Sequence, residues 1–202
     1  MKEKPIFEEV YAQLTRQPNF GLKVLIGGVL TFVPIVNFLA FGYLYRFSRA
    51  VRHSGQLSLP EWQDWAGLFA DGLKFAVVWF SYWALPLLLA WLLSGLFSGL
   101  GLGALAYLLL SSTFLLAPLL FCSALYRLQM RSDFKDLLDL ALIMRMTYRE
   151  FPRFVLPAFV CLGICALALP LYGFPLFISF LLLIAHTALC YRSMESRKSA
   201  SV

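Results

Sequence analysis

Three apolar stretches dominate the chain, and all three close in the same way. The first runs from Gly21 to Tyr45, the second from Phe75 to Tyr126 and the third from Phe154 to Tyr191. The second and third contain no Lys, Arg, Asp or Glu. Each ends in Tyr-Arg and then turns basic: "LYRFSR" from Leu44, "LYRLQMR" from Leu125 and "CYRSMESR" from Cys190. Uncharged runs longer than about 18 residues read as membrane spans. The second run has room for two spans of about 20 residues and a turn, and the third for two of about 17. The first, at about 25 residues, is either one ordinary span or a short helix–turn–helix that dips in and returns around Pro34 and Asn37.

A half-apolar lead-in with helical periodicity precedes each run. Ile6, Phe7, Val10, Tyr11 and Leu14 form the first stripe. In "SLPEWQDWAGLFADG" the second stripe is Trp62, Trp65, Phe69 and Leu73. Ser58 and Glu61 there have capping-box spacing, and Pro60 suits a first helical turn. The third stripe is Phe134, Leu137, Leu138, Ala141, Met144 and Tyr148. Asp133 and Asp136 stand near its start and Arg145 and Arg149 near its end, which complements a helix dipole. These lead-ins are too charged to span, so the pattern predicts amphipathic helices lying in the membrane interface. The openings echo one another as well, in "GLKVL", "GLKFA" and "PRFVL". The expected fold is therefore an all-α integral membrane protein in one domain, residues 1–202. It has three degenerate units of interfacial helix plus apolar hairpin, near 1–53, 54–131 and 132–202, with the first hairpin short or re-entrant.

Charge placement orients the scheme. Hydrophobic residues make up 60% of the chain and charged ones 14%, against roughly 45–50% and 25% in soluble domains. The basic residues lie before, between and after the apolar runs, while the turns "SGLFSGLGLG" and "PLYGFP" carry none. Lys and Arg collect on the cytoplasmic side of short loops. That favours hairpins that leave the cytoplasm and return, with both termini cytoplasmic and the first run dipping. Its backbone near Pro34 then needs cover from the other hairpins, because lipid cannot satisfy it. Tyr45, Tyr126 and Tyr191, with Trp62, Trp65 and Phe69, are the expected interfacial anchors. Arg46, Arg49, Arg127, Arg131, Arg145, Arg149, Arg153 and Arg192 are the expected contacts to lipid headgroups, with anionic lipid as the partner. Glu61, Asp64 and Asp71 are poorly placed beside such headgroups unless cations meet them. They are expected to clamp the hairpins together through Arg46 and Arg49 on one side and Arg127 and Arg131 on the other.

The segment from Phe41 to Leu89 carries a resemblance. Gly42-Tyr43, Arg46, Leu59-Pro60-Glu61-Trp62, Asp64-Trp65, Leu68-Phe69 and Asp71-Gly72-Leu73-Lys74 are its residues. The run resembles the bacterial and archaeal membrane family known as domain of unknown function 4013. The resemblance implies a polytopic protein of the cell membrane and no particular reaction.

Little chemistry competes with that reading. The amino terminus has acidic residues and no uninterrupted apolar core, so it is not read as a signal peptide. Cys122, Cys161, Cys165 and Cys190 all sit inside apolar runs and read as packing residues. His186 is a lone histidine in a span, read as a packed ring before a proton relay. No nucleophile–base set, phosphate loop, metal-ligand pattern or nucleic-acid signature appears, so neither an enzyme nor a cofactor is expected. The expected function is a structural or interaction module that organises lipid or docks a partner, either a second copy or another membrane protein. The alternative is a small-solute channel or transporter, oligomeric or not.

Overall fold

The structure, a computed structural model, describes residues 7–131, 133–167 and 171–199. No strand occurs among them. The helices are α1 (Phe7–Thr15), α2 (Phe20–Phe32), α3 (Asn37–Ser54), α4 (Trp65–Trp79), α5 (Leu85–Gly99), α6 (Gly103–Arg131), α7 (Leu140–Leu167) and α8 (Gly173–Ser199). A π-helical turn at Phe80–Ala84 joins α4 to α5, and a 3-10 turn at Phe134–Leu138 precedes α7. Pro86 explains the first of these. It has no N–H for the Tyr82 carbonyl, and its ring would strike that oxygen in a regular helix, so the preceding turn widens.

Among the described residues three helices are long and apolar enough to cross a membrane: Trp65–Gly99, Gly103–Met130 and Gly173–Ser193. The apolar parts Phe20–Phe32 and Phe151–Ile164 are shorter. These spans differ in what covers them. The most apolar window of Gly173–Ser193 is 78% buried inside the protein, that of Trp65–Gly99 only 17%. Trp91, Leu92, Leu96 and Leu89 on α5 all point outward. An apolar face of that size is far larger than a water-soluble surface carries, which marks a membrane protein.

Packing divides the chain into two compact units, residues 1–76 with 152–202, and residues 77–151. In the first unit α8 is the central helix, with α2, α3 and α1 against it. Phe174 and Phe177 of α8 lie where Gly28 and Gly27 of α2 leave no side chain; a Cβ at either glycine would overlap a ring. In the second unit α5 and α6 pair, and the Tyr82 hydroxyl donates to the Leu137 carbonyl at the end of the 3-10 turn.

The first apolar run is two helices, α2 and α3, with a turn at residues 33–36. One continuous helix across Gly21–Tyr45 is therefore not what the chain forms. The turn supplies most of its own hydrogen bonds. Asn37 N–H donates to Val33 O (2.9 Å), Phe38 N–H to Ile35 O (3.2 Å) and Leu39 N–H to Val36 O (2.9 Å). The Phe32 carbonyl receives the Tyr172 hydroxyl at 3.2 Å, and both Tyr172 and Phe174 pack edge-on to the Phe32 ring. Cover from another hairpin thus reaches the backbone just before Pro34.

The lead-ins depart from the three amphipathic helices that the pattern predicts. The first is helical as α1, yet Val10 and Leu14 are buried and Phe7 meets His186 edge-on at 5.8 Å. Its apolar face is covered by protein, chiefly α8, and only Tyr11 of the stripe is exposed; Ile6 lies outside the described residues. In the second, residues 55–64 are not helical and the capping box at Ser58 starts nothing. The carbonyls of Leu59 and Pro60 accept hydrogen bonds from Lys23 and Tyr43, which holds this stretch out of a helix. The cap is Asp64 instead, at φ 55°, whose Oδ1 accepts the Gly67 N–H at 3.2 Å. The third lead-in is split. After the 3-10 turn, Asp139 caps a fresh helix by accepting the Leu142 N–H at 3.1 Å, and α7 then runs unbroken past Pro152 and Pro157.

Candidate functional site

The residues of the family-like run converge where α3, the segment 57–64 and the start of α4 meet. The convergence begins with backbone. A Cβ on Gly42 would overlap the Leu68 carbonyl oxygen, and a Cβ on Gly72 would overlap that of Phe38. Two bare backbones therefore cross in contact, an approach that only glycine at both positions permits. Phe38 against Phe69 (5.6 Å, edge-on) and Phe41 against Phe75 (5.1 Å, stacked) close the crossing on either side.

Next to Gly42 on α3, Tyr43 is fully buried. Its hydroxyl donates to Pro60 O at 3.0 Å, and its ring stacks on Trp62 at 4.2 Å. Trp62 in turn stacks on Trp65 at 6.1 Å. Trp62 is therefore half-buried within the protein, not on the outward face expected for it, while Trp65 and Phe69 are exposed as expected of anchors.

Arg46 is the hub of the charges. Its Nη2 donates to Asp64 Oδ2 at 2.7 Å, its Nε to Asp71 Oδ2 at 3.0 Å and its Nη1 to Gln63 O at 3.3 Å. Asp71 Oδ1 accepts from Lys74 Nζ at 2.9 Å, and that ammonium lies 5.7 Å above the Tyr45 ring. Lys23, buried on α2, donates to Glu61 Oε1 at 2.6 Å and to Leu59 O at 3.0 Å. Hydrogen bonds from Arg46, and then from the Gly67 N–H, hold the Asp64 carboxyl below the usual carboxylate range. Glu61, Asp64 and Asp71 thus all meet cations, and those cations belong to α2, α3 and α4. Arg127 and Arg131, the cations expected on the other side of the clamp, belong to the second unit. Arg127 pairs with Asp136 at 3.4 Å, and the Arg131 side chain lies outside the described residues. Lys23 and Tyr43 were not among the predicted site residues; a lone lysine at the edge of an apolar block was the available signal.

The Tyr-Arg tails differ from the expected headgroup anchors. Tyr45, Tyr126 and Tyr191 are 4%, 3% and 2% exposed, buried in helix packing. The arginines that follow them reach protein oxygens: Arg46 as above, Arg127 on Asp136, and Arg192 Nη1 on the Arg52 carbonyl at 2.6 Å. The last contact satisfies a carbonyl in the final turn of α3, where a cation also complements the dipole. Of the remaining predicted headgroup residues, Arg49, Arg145 and Arg149 are exposed and Arg153 is half-buried.

His186 is buried on α8 between Phe7 and Phe154, with Cys190 Sγ 3.5 Å from its Nε2. Cys122, Cys161 and Cys190 are free and buried, and the Cys165 side chain lies outside the described residues.

No curated protein and no solved structure matches the chain. A family described as Protein of unknown function (DUF4013) matches residues 26–185, which contain nearly the whole of this convergence apart from Lys23. The matched span covers well over half of the chain, and the chain belongs to that family.

Proposed function

We propose that this chain is a non-enzymatic integral membrane module whose hairpins form a platform for lipid or for a membrane partner. In this reading each apolar run leaves the cytoplasmic face and returns to it, α2–α3 dips without crossing, and both termini are cytoplasmic. The observation that carries it is the use of the polar residues in the family-like run. Tyr43, Glu61, Asp64 and Asp71 bond to neighbouring helices or to backbone, and Gly42 and Gly72 serve a backbone crossing. Groups so used hold elements together rather than carry a solute or a proton. Purified chain in proteoliposomes tests the reading. Passive flux of potassium, chloride and small neutral solutes should match that of protein-free vesicles. Selective, saturable flux of any of them would replace the module with a channel or transporter.

A further inference from the structure

The first turns of α7 present two different faces. Ile143, Thr147 and Phe154 are buried, at 0%, 5% and 0% exposure. Beside them Leu140, Met144, Tyr148 and Phe151 are 50%, 50%, 84% and 41% exposed. At 3.6 residues per turn these four form a stripe about a quarter of the circumference wide. Arg145 and Arg149, both exposed, follow on the edge of the stripe away from the buried face. An uncovered aromatic–aliphatic stripe bordered by arginine suits a helix end that enters a headgroup layer.

We infer that Arg145 and Arg149, with Tyr148 and Met144 beside them, form the anionic-phospholipid contact of this chain. The arginines of the Tyr-Arg tails already bond to protein oxygens. Continuity of α7 sets the depth. The apolar segment Phe151–Ile164 belongs to the same helix, so Phe151 marks the hydrocarbon edge. Arg149 is two residues above it and Arg145 six, about 3 and 9 Å along the axis at 1.5 Å per residue. The headgroup region occupies roughly the first 5–8 Å outside the hydrocarbon of each leaflet. Flexible arginine side chains starting at those heights reach phosphate, and Tyr148 stands at the depth that tyrosine favours. A phosphodiester that carries net negative charge is preferred over a zwitterionic one by roughly fivefold per cation near the surface.

The inference rests on the membrane-module reading and is tested separately from it. The full chain is reconstituted in bilayers of phosphatidylethanolamine and phosphatidylglycerol, extracted gently, and its retained lipids are counted by native mass spectrometry. An R145Q/R149Q double variant should retain several-fold less phosphatidylglycerol and unchanged phosphatidylethanolamine. R145K/R149K should keep the wild-type pattern, and Arg49→Gln, an exposed arginine elsewhere, should too. Unchanged phosphatidylglycerol in the double variant overturns the proposal and leaves the stripe to an acidic partner protein. Equal loss of both lipids, or an equal loss in Arg49→Gln, overturns it as well. Flux through the wild-type chain would end the module reading and leave this lipid result standing.

Discussion

Gly42 and Gly72 act as one contact, because each occupies the space in which the other's helix places a carbonyl. Overpacking a close contact costs about 1–3 kcal/mol when side chains can adjust, and a backbone carbonyl adjusts less. Gly72→Ala should therefore lower the melting temperature in detergent by several degrees, at roughly 2–4 °C per kcal/mol for a chain of this size. Gly95→Ala, where nothing lies within 4 Å, should leave it unchanged or slightly raised. Differential scanning fluorimetry of the pair separates close approach from a general intolerance of alanine. Asp64 gives a second residue-scale expectation. Its carboxyl titrates below the ordinary value near 3.9, foremost through its bond to Arg46. A group depressed in the folded state adds stability above its unfolded pKa and loses it as the pH falls toward the folded one. The melting temperature should thus drop below about pH 4, and that limb should flatten in an Asp64→Asn, Asp71→Asn double variant. The variant should also be less stable than wild type near pH 7, chiefly through Asp71, whose side chain is 16% exposed where Asp64's is 65%. An unaltered acid limb would detach these carboxylates from stability.

Helix–turn–helix in the first run, the two long helices of the second and the clustering of acidic residues with Arg46 could all be read from residue pattern. The periodicity of Trp65, Phe69 and Leu73 and the lack of charge from Phe75 onward are local signals, and local signals survive folding. What could not be read depends on partners distant in sequence. Ser58 and Pro60 look like a helix start, but Lys23 and Tyr43, at separations of 36 and 17 residues, take the carbonyls of that stretch. Val10 and Leu14 look membrane-facing because burial against α8 and burial in lipid demand the same apolar stripe. Tyr45, Tyr126 and Tyr191 mislead for the same reason, an amphipathic ring being at home in either place. The turn of α2–α3 offers a test at this scale. Tyr172→Phe removes one hydroxyl, leaves the edge-on ring contact with Phe32 in place, and strips the Phe32 carbonyl of its donor. A lost hydrogen bond of this type costs about 1 kcal/mol. A measurable loss of thermal stability is expected, larger in lipid nanodiscs than in detergent, where water can substitute. Equal, negligible changes in both would mean that the turn does not sit in hydrocarbon.

At the scale of the whole molecule the open quantity is topology, and charge and helix length constrain it together. Trp65–Gly99 and Gly103–Met130 are each long enough to cross, and three residues separate them. In the proposed topology a connection that short makes them successive antiparallel spans, with residues 100–102 at one face. Lys and Arg mark the cytoplasmic face, and the turn at 100–102, which carries none, is proposed to be external. Phe20–Phe32, at 13 residues, rises about 20 Å against a hydrocarbon core of about 30 Å, so the proposed topology gives it no crossing before Trp65. The proposal then puts the amino terminus on the side of Lys74. It has Phe151–Ile164 and Gly173–Ser193 go out and back after Arg149, which would bring the carboxyl terminus to that side too. In a background lacking the four native cysteines, Ser98→Cys should react in intact cells with a membrane-impermeant maleimide. Lys2→Cys and Ser201→Cys should react only after the cells are opened. Labelling of Lys2→Cys alone in intact cells would require α2–α3 to cross after all, and labelling of Ser201→Cys alone would remove one of the two crossings assigned to the third run.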